Sequence, residues 1–342
     1  MKWHNISLRM GTLAIVVAML VRFALSGVLG GAWGIFSNPQ LASFLIYSET
    51  GRTPTSETTA PTQSEPQATE PLPTEPLPTE PLPIIPTPIV KPTFVEEDSQ
   101  YFSLTYSFTL YNKPNIKSLL VQPLSWDLAG DEPTVLIIHS HGTEAYTQTS
   151  DAAYENLAAY RTTDDRYNMI SIGNELARLL EEQGIRVIHD RTAYDYLDYD
   201  NAYTNARTAI KAHLAEHPSI KVVLDLHRDS AQNADGSEWA SHATVGGKDA
   251  AQLMLVVGSS GSGQPHPNWH TNLSIAEKLA VLMEKEDSGV CRPIQVRYKH
   301  YNQDLCDGSL IVEVGTAGNT HQQAMNAVAA LAQGIIALSK GT

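Results

Sequence analysis

From Gly51 to about Pro92 the chain is built almost wholly of Pro, Thr, Glu and Ser, and Thr-Glu-Pro-Leu-Pro occurs three times in succession between Thr69 and Pro83. Such a stretch has too few large apolar side chains to offset the entropy of ordering its backbone, so no folded core can be drawn from it. Its prolines favour extended polyproline II at about 3.1 Å per residue, which makes it a semi-rigid, charged spacer; a linker of no particular reach is the plainer alternative. A chain of 342 residues is then left with room for roughly one large domain, and that domain must follow the repeats.

Upstream, Lys2 and Arg9 precede an apolar run from Met10 to Phe36 that only Arg22 interrupts. The run is long enough for a bilayer core, which takes roughly 20 apolar residues, and the basic start places the N-terminus in the cytoplasm. A cleaved signal peptide, with Ala24-Leu25-Ser26 as its small-residue site, is the competing reading, and the uncleaved anchor is preferred. The expected division is a cytoplasmic start and transmembrane anchor over 1–37, an extracytoplasmic linker over 38–97 and a catalytic domain over 98–342. This makes the protein a single-pass component of the cell membrane with its domain outside.

The formal net charge of −14 and a pI near 5.2 argue against nucleic acid as a partner, since phosphate binding needs clustered Lys and Arg. Two cysteines, Cys291 and Cys306, allow either a small disulfide loop or two buried thiols.

Beyond Asp98 the pattern becomes globular. Val135-Leu136-Ile137-Ile138 reads as a buried strand; Met169, Ile172, Leu176 and Leu179 recur at helical spacing; Gly184 supplies a stop; and Ile185 to Ile188 is a second strand. The scheme repeats with a helix over about 201–216, strands at 222–224 and 253–257, a helix from about Asn272, a strand near 310–312 and a helix carrying Met325, Val328, Leu331 and Ile335. Strands alternating with helices predict an α/β fold, a mostly parallel sheet flanked by helices.

Functional groups in such sheets gather at the carboxyl ends of strands. Three polar clusters are expected there: His139 to Glu144 after the first strand, Asp225 to Asp229 after the third, and Glu313-Val314-Gly315 after the last long one. A single His or Glu in such a place is more often a cap or half of a salt bridge, but three clusters on three strand ends point to chemistry. Zinc takes imidazole nitrogen and carboxylate oxygen, and a catalytic site uses three protein ligands with one position left for water. His141, Glu144 and His227 meet that requirement, and Glu313 is the candidate for the separate carboxylate that accepts and returns the proton. His139 and His141 are expected to point to opposite sides of the chain, leaving His139 as a supporting or sheet-packing residue. Asp225 is expected to orient His227 through its other ring nitrogen, and Arg228 and Asp229 to pair with each other or grip substrate. Trp269, Asn272 and Tyr301-Asn302-Gln303 suit either a groove for sugar or peptide or, for Trp269, core packing; Asn302 and Gln303 are expected near the edge that carries Glu313.

The stretches VLIIHSHGTEAY, YDYLDYDNAY, VVLDLHRDS, HPNWHTNL and YNQDLCDGSLIVEVGTAGNT resemble the stage II sporulation protein P family of cell-wall hydrolases, from about residue 100 to the C-terminus. The resemblance implies an N-acetylmuramoyl-L-alanine amidase-like fold and a Zn2+-dependent amidase, often also an endopeptidase, acting on peptidoglycan during forespore engulfment. It implies as partners stage II sporulation proteins D and M, and the cytoplasmic membrane through an N-terminal anchor. In the broader amidase pattern the first ligand matches His141, the third matches His227 and the catalytic Glu matches Glu313. The second ligand there is a Glu on the following helix, where this chain has Asn168; that departure leaves Glu144 in the role. Two rival readings are a non-catalytic cell-wall-binding module that positions a partner hydrolase, and another metal-dependent hydrolase such as a carboxypeptidase. The region from Asp98 to Trp126 is a candidate for docking to partners.

Overall fold

A computed structural model of the chain describes residues 92–110, 112–124 and 127–339. These lie within a compact unit spanning 84–342. The expected anchor and most of the expected linker fall outside the described residues, and among the described residues no helix is long and apolar enough to cross a membrane.

The sheet is built through its middle on strands with runs of Val, Ile and Leu that are buried on both faces. Its members in chain order are β1 (Leu104–Tyr106), β2 (Val135–Ile138), β3 (Val187–His189), β4 (Val222–Asp229), β7 (Leu253–Gly258), β8 (Ile294–Arg297) and β9 (Ser309–Thr316); β5 (Ala243–Val245) and β6 (Lys248–Ala250) form a separate antiparallel pair. Helices α1 (Ile116–Leu120), α2 (Met169–Glu181), α3 (Ala202–Glu216), α4 (Trp269–Glu286) and α5 (His321–Ser339) surround it. The spatial order is β1-β8-β7-β9-β4-β2-β3, with every neighbouring pair parallel except β7 against β9. The mostly parallel α/β architecture is therefore as the alternation of strands and helices implied.

Successive residues of a strand face opposite sides, and β2 shows the consequence. Val135 and Ile137 join the large core with Met169, Ile172, Leu176 and Leu180 of α2. Leu136 and Ile138 join a smaller core with Ala206 and Ile210 of α3. Asn168 caps α2 by accepting a hydrogen bond from the Ile170 amide at 2.9 Å, and Gly184, at φ +79°, supplies the turn beyond its end. Residues 94–110 and 112–124 close the outer side of α4, where Phe94, Leu119 and Leu120 are buried, so that helix is covered nearly all round.

Two strands run further than their apolar cores suggest. β4 continues through Asp229 and β9 through Thr316, so Asp225, His227 and Glu313 stand within strands rather than after them. Residues two apart share a face, and parallel pairing sets His227 beside Glu313 and Asp225 beside Ile311. These polar groups thus occupy the α3 side of the sheet, toward its carboxyl edge.

Candidate metal centre

The strand-to-turn transition after β2 decides which histidine enters this cluster. Period two would put His139 and His141 on one face, so the expected separation does not arise from an extended chain. It arises because β2 ends at Ile138 and the chain enters a turn. Gly142 makes that turn possible, since a Cβ there would lie 2.7 Å from the Ala193 backbone. His139 stays on the α2 side, fully buried, with its Nε2 2.8 Å from His189 Nε2. Gly173 of α2 is required at that contact, because a Cβ would come within 2.4 Å of His189 and 2.7 Å of His139. Burial lowers the His139 pKa to about 4 and, helped by the neighbouring imidazole, that of His189 to about 3.

His141 instead turns toward β4. Its Nδ1 lies 3.5 Å from Glu144 Oε1, and His227 Nδ1 lies 3.4 Å from Glu144 Oε2. The ligating atoms of the three residues all fall within 4.8 Å of one another. Two ligands of one tetrahedral zinc, each at about 2.0–2.1 Å, stand roughly 3.3 Å apart. The donor set and its spacing therefore fit a divalent cation, and Glu144 supplies the carboxylate from the turn, while Asn168, at the position where the broader pattern has Glu, is engaged in capping α2.

The supports of these groups are specific. Ser140 donates from its amide to Asp225 Oδ1 at 2.8 Å and from its hydroxyl to Asp225 Oδ2 at 2.5 Å. With that hydroxyl proton engaged, His227 Nε2–H donates toward Ser140 Oγ at 3.0 Å and Asp225 Oδ1 at 3.1 Å, which leaves Nδ1 for the centre. Burial opposes protonation of His227, but Asp225, Tyr203 and Glu144 outweigh it and hold its pKa well above the usual value. Burial likewise would raise Glu144, yet hydrogen bonds from His141 and His227 and the charge of Arg228 hold it well below the usual carboxylate range.

Arg228 and Asp229 do not pair with each other. The Arg228 amide donates to Glu144 Oε2 at 3.1 Å, while its guanidinium donates to the carbonyls of Ala145 and Tyr160, both at 3.0 Å. Asp229 pairs with Arg292 at 2.7 Å. Gln303 departs from expectation: its amide accepts from Gly258 N at 2.8 Å and donates to Val256 O at 2.9 Å, so it ties the end of β7 rather than joining the cluster. Asn302 donates to the Tyr203 carbonyl at 2.8 Å and so acts one step behind the centre. Trp269 and Asn272 are buried in packing, and Cys291 and Cys306 are free thiols.

Several residues here gave no separate signal in the sequence. Arg161 donates to Glu144 Oε1 at 3.2 Å and to Thr143 Oγ1 at 3.1 Å, and pairs with Asp195 at 2.5 Å. Tyr199 stacks on His141 with centroids 4.9 Å apart, and Tyr203 lies parallel to His227 at 6.1 Å. The two tyrosines stand in the stretch YDYLDYDNAY, so only their inclusion in a motif could have drawn attention to them.

A cavity of about 420 Å³ opens onto the cluster, lined by His141, Glu144 and His227, the tyrosines, Arg228, Asp229, Glu238 and Glu313. One carboxylate oxygen of Glu313, Oε2, is sealed from solvent and bonds to nothing. Burial first, then the charges of Glu144 and Asp229, raise this carboxyl to about 8, against the opposing pull of His227.

A model of the family described as stage II sporulation protein P matches residues 52–336. A curated relative, stage II sporulation protein P of Bacillus subtilis (strain 168), is 29% identical over 214 residues, 59% of this chain and 50% of that protein. The chain thus spans about half the length of that relative. Among solved structures, it is similar to N-acetylmuramoyl-L-alanine amidase AmiC2 of Nostoc punctiforme, at 14% identity over 60% of this chain and 97% of that one, with a TM-score of 0.35. It is also similar to the N-acetylmuramoyl-L-alanine amidase from Clostridium difficile 630, at 15% identity over 60% and 94% respectively, with the same TM-score of 0.35.

Proposed function

This chain belongs to the stage II sporulation protein P family, and from that premise we propose that it is a zinc-dependent peptidoglycan hydrolase that cleaves the amide bond between N-acetylmuramic acid and the L-alanine of the stem peptide. The observation that carries the reading is the convergence of His141, Glu144 and His227, their ligating atoms within 4.8 Å of one another, beside a Glu313 carboxylate oxygen that has no partner.

Zinc held by those three residues would polarise the scissile carbonyl and acidify a water molecule in the cavity. Glu313 accepts the proton that water loses as it attacks the carbonyl carbon, and returns it to the nitrogen of the departing L-alanine as the C–N bond breaks. Its pKa of about 8 suits a group that must both take and give a proton near neutrality, and a cation in the adjacent cluster draws it toward the carboxylate form. Asp225, through Ser140 and directly, occupies His227 Nε2, so that Nδ1, facing Glu144, is the nitrogen that would give up its proton to a metal. Arg161 and the Arg228 amide each hold one oxygen of Glu144.

The same proposal includes cleavage within stem peptides, a place in forespore engulfment, anchoring in the cell membrane through residues 10–36 with the domain outside, and partnership with stage II sporulation proteins D and M.

Mass spectrometry of purified peptidoglycan after incubation with the chain, with and without zinc, tests the reading. Release of intact stem peptides by the zinc-loaded wild type, and at least about a hundredfold less by Glu313→Gln with metal binding retained, is the expected result. Metal binding with no released fragment, even with the partner proteins added, would replace the enzyme with a cell-wall-binding module. Removal of only terminal residues from the stem would make it a carboxypeptidase.

A further inference from the structure

Among the described residues, eight large apolar or aromatic side chains are exposed, and three of them fall within four consecutive positions: Tyr196 at 45%, Leu197 at 43% and Tyr199 at 55%. Exposed hydrophobic residues scattered singly call for no explanation, but a run of this density does. The loop that carries them is not loose. Asp195, buried at its base, accepts from the Thr143 amide at 3.0 Å and from the Arg161 guanidinium at 2.5 Å. At the other end Asp198 accepts from Asn201 at 2.9 Å and Asn205 at 3.1 Å. Leu197 sits at φ +66°, a left-handed conformation that is unfavourable for a leucine and persists only where its surroundings enforce it. The side chains are thus held outward by a braced loop.

This surface is continuous with the cavity. Tyr199 lies against His141, with the Arg161 guanidinium 4.8 Å from its ring centroid, and forms the cavity wall together with Tyr203. The rest of the lining includes the apolar Ala159, Tyr160 and Ala317 but also gathers Arg228, Asp229, Ser230 and Glu238. A bond between muramic acid and L-alanine requires a saccharide on one side of the centre and a peptide on the other. Where the lactyl carboxyl is consumed in the amide, the sugar is uncharged and offers C–H faces that pack against aromatic rings; the stem peptide carries carboxylates and amines that suit a charged wall. We propose that Tyr196, Leu197 and Tyr199 form the saccharide-binding side of the cleft, so that the glycan strand runs over this loop and the stem peptide leaves past Asp229 and Glu238. The assignment rests on the amidase reading for the substrate's orientation.

Isothermal titration of the full chain with an uncharged tetrasaccharide of N-acetylglucosamine tests it, with a free stem tripeptide titrated in parallel. The wild type should bind the tetrasaccharide; a Tyr196→Ala/Tyr199→Ala double variant, with an unchanged far-ultraviolet circular dichroism spectrum, should lose about tenfold or more in affinity, and Tyr199→Phe should stay within about twofold of the wild type. Absence of tetrasaccharide binding by the wild type, or equal affinity in the double variant, overturns the proposal. So does selective loss of tripeptide binding in the double variant, which would make the loop a peptide or protein-docking face. The titration needs no turnover, so the two readings fail separately: loop-dependent glycan binding by a chain that releases no stem peptide would refute the amidase reading and leave the saccharide side standing.

Discussion

His227 divides its two ring nitrogens between two tasks, one toward Glu144 and one toward the Ser140–Asp225 pair. A carboxylate in that supporting position commonly contributes tenfold to a hundredfold in metal affinity. Asp225→Asn should therefore weaken zinc binding by about that factor, measured by competition with a chromogenic chelator on protein shown to be folded by its far-ultraviolet circular dichroism. An unchanged affinity would show that Ser140 alone sets the tautomer. The two-residue spacing of Asp225 and His227 was legible because both lie on one face of a strand. Arg161 was not, since it reaches Glu144 across 17 residues of irregular chain that no periodicity marks. The choice of His141 over His139 came with an unsound reason, because what separates them is the end of β2, which period-two reasoning does not locate.

Helix α4 buries two ionisable side chains in succession. Glu277 and Lys278 are both fully buried, neither Glu277 oxygen has a partner, and Lys278 donates to Leu119 O at 3.1 Å and Ser274 Oγ at 2.6 Å. Burial raises Glu277 from 4.5 to about 8 and lowers Lys278 to about 8. The folded state therefore keeps a proton on Glu277 that the unfolded chain releases, so this contribution to stability is whole below pH 4.5 and is lost as pH rises through about 8. Glu277→Gln should gain on the wild type over that window, by on the order of 2 kcal/mol near its upper end, in urea melts at its two ends. A constant difference would place the cause elsewhere. At this scale the helices α2 and α5 were legible from their apolar periodicity, and β2, β4 and β9 from unbroken apolar runs. The three-residue strands β1, β5 and β6 and the five-residue α1 were not, because so few residues establish no period, and the four-residue β8 went unseen between α4 and β9.

For the whole molecule, a cation bound by the folded chain alone must raise its stability by mass action. At a hundred times the dissociation constant the gain is about 2.7 kcal/mol, which for a domain of this size corresponds to roughly 5–10 °C in melting temperature. Zinc should produce that rise in the wild type and none in Glu144→Ala, read by differential scanning calorimetry; a rise that survives the substitution would remove Glu144 from the ligand set. The order of the strands carries one more consequence. The described chain begins at Pro92 and enters the sheet at β1, an edge strand paired only with β8, while His227 and Glu313 stand on β4 and β9, beyond β8 and β7. Tension arriving along the preceding segment meets the three-residue β1–β8 ladder and the cover over α4 before it meets any strand of the centre. The edge can yield like a mechanical fuse, and a domain pulled from its N-terminal side would give up its outermost strand while the His141–Glu144–His227 cluster still held.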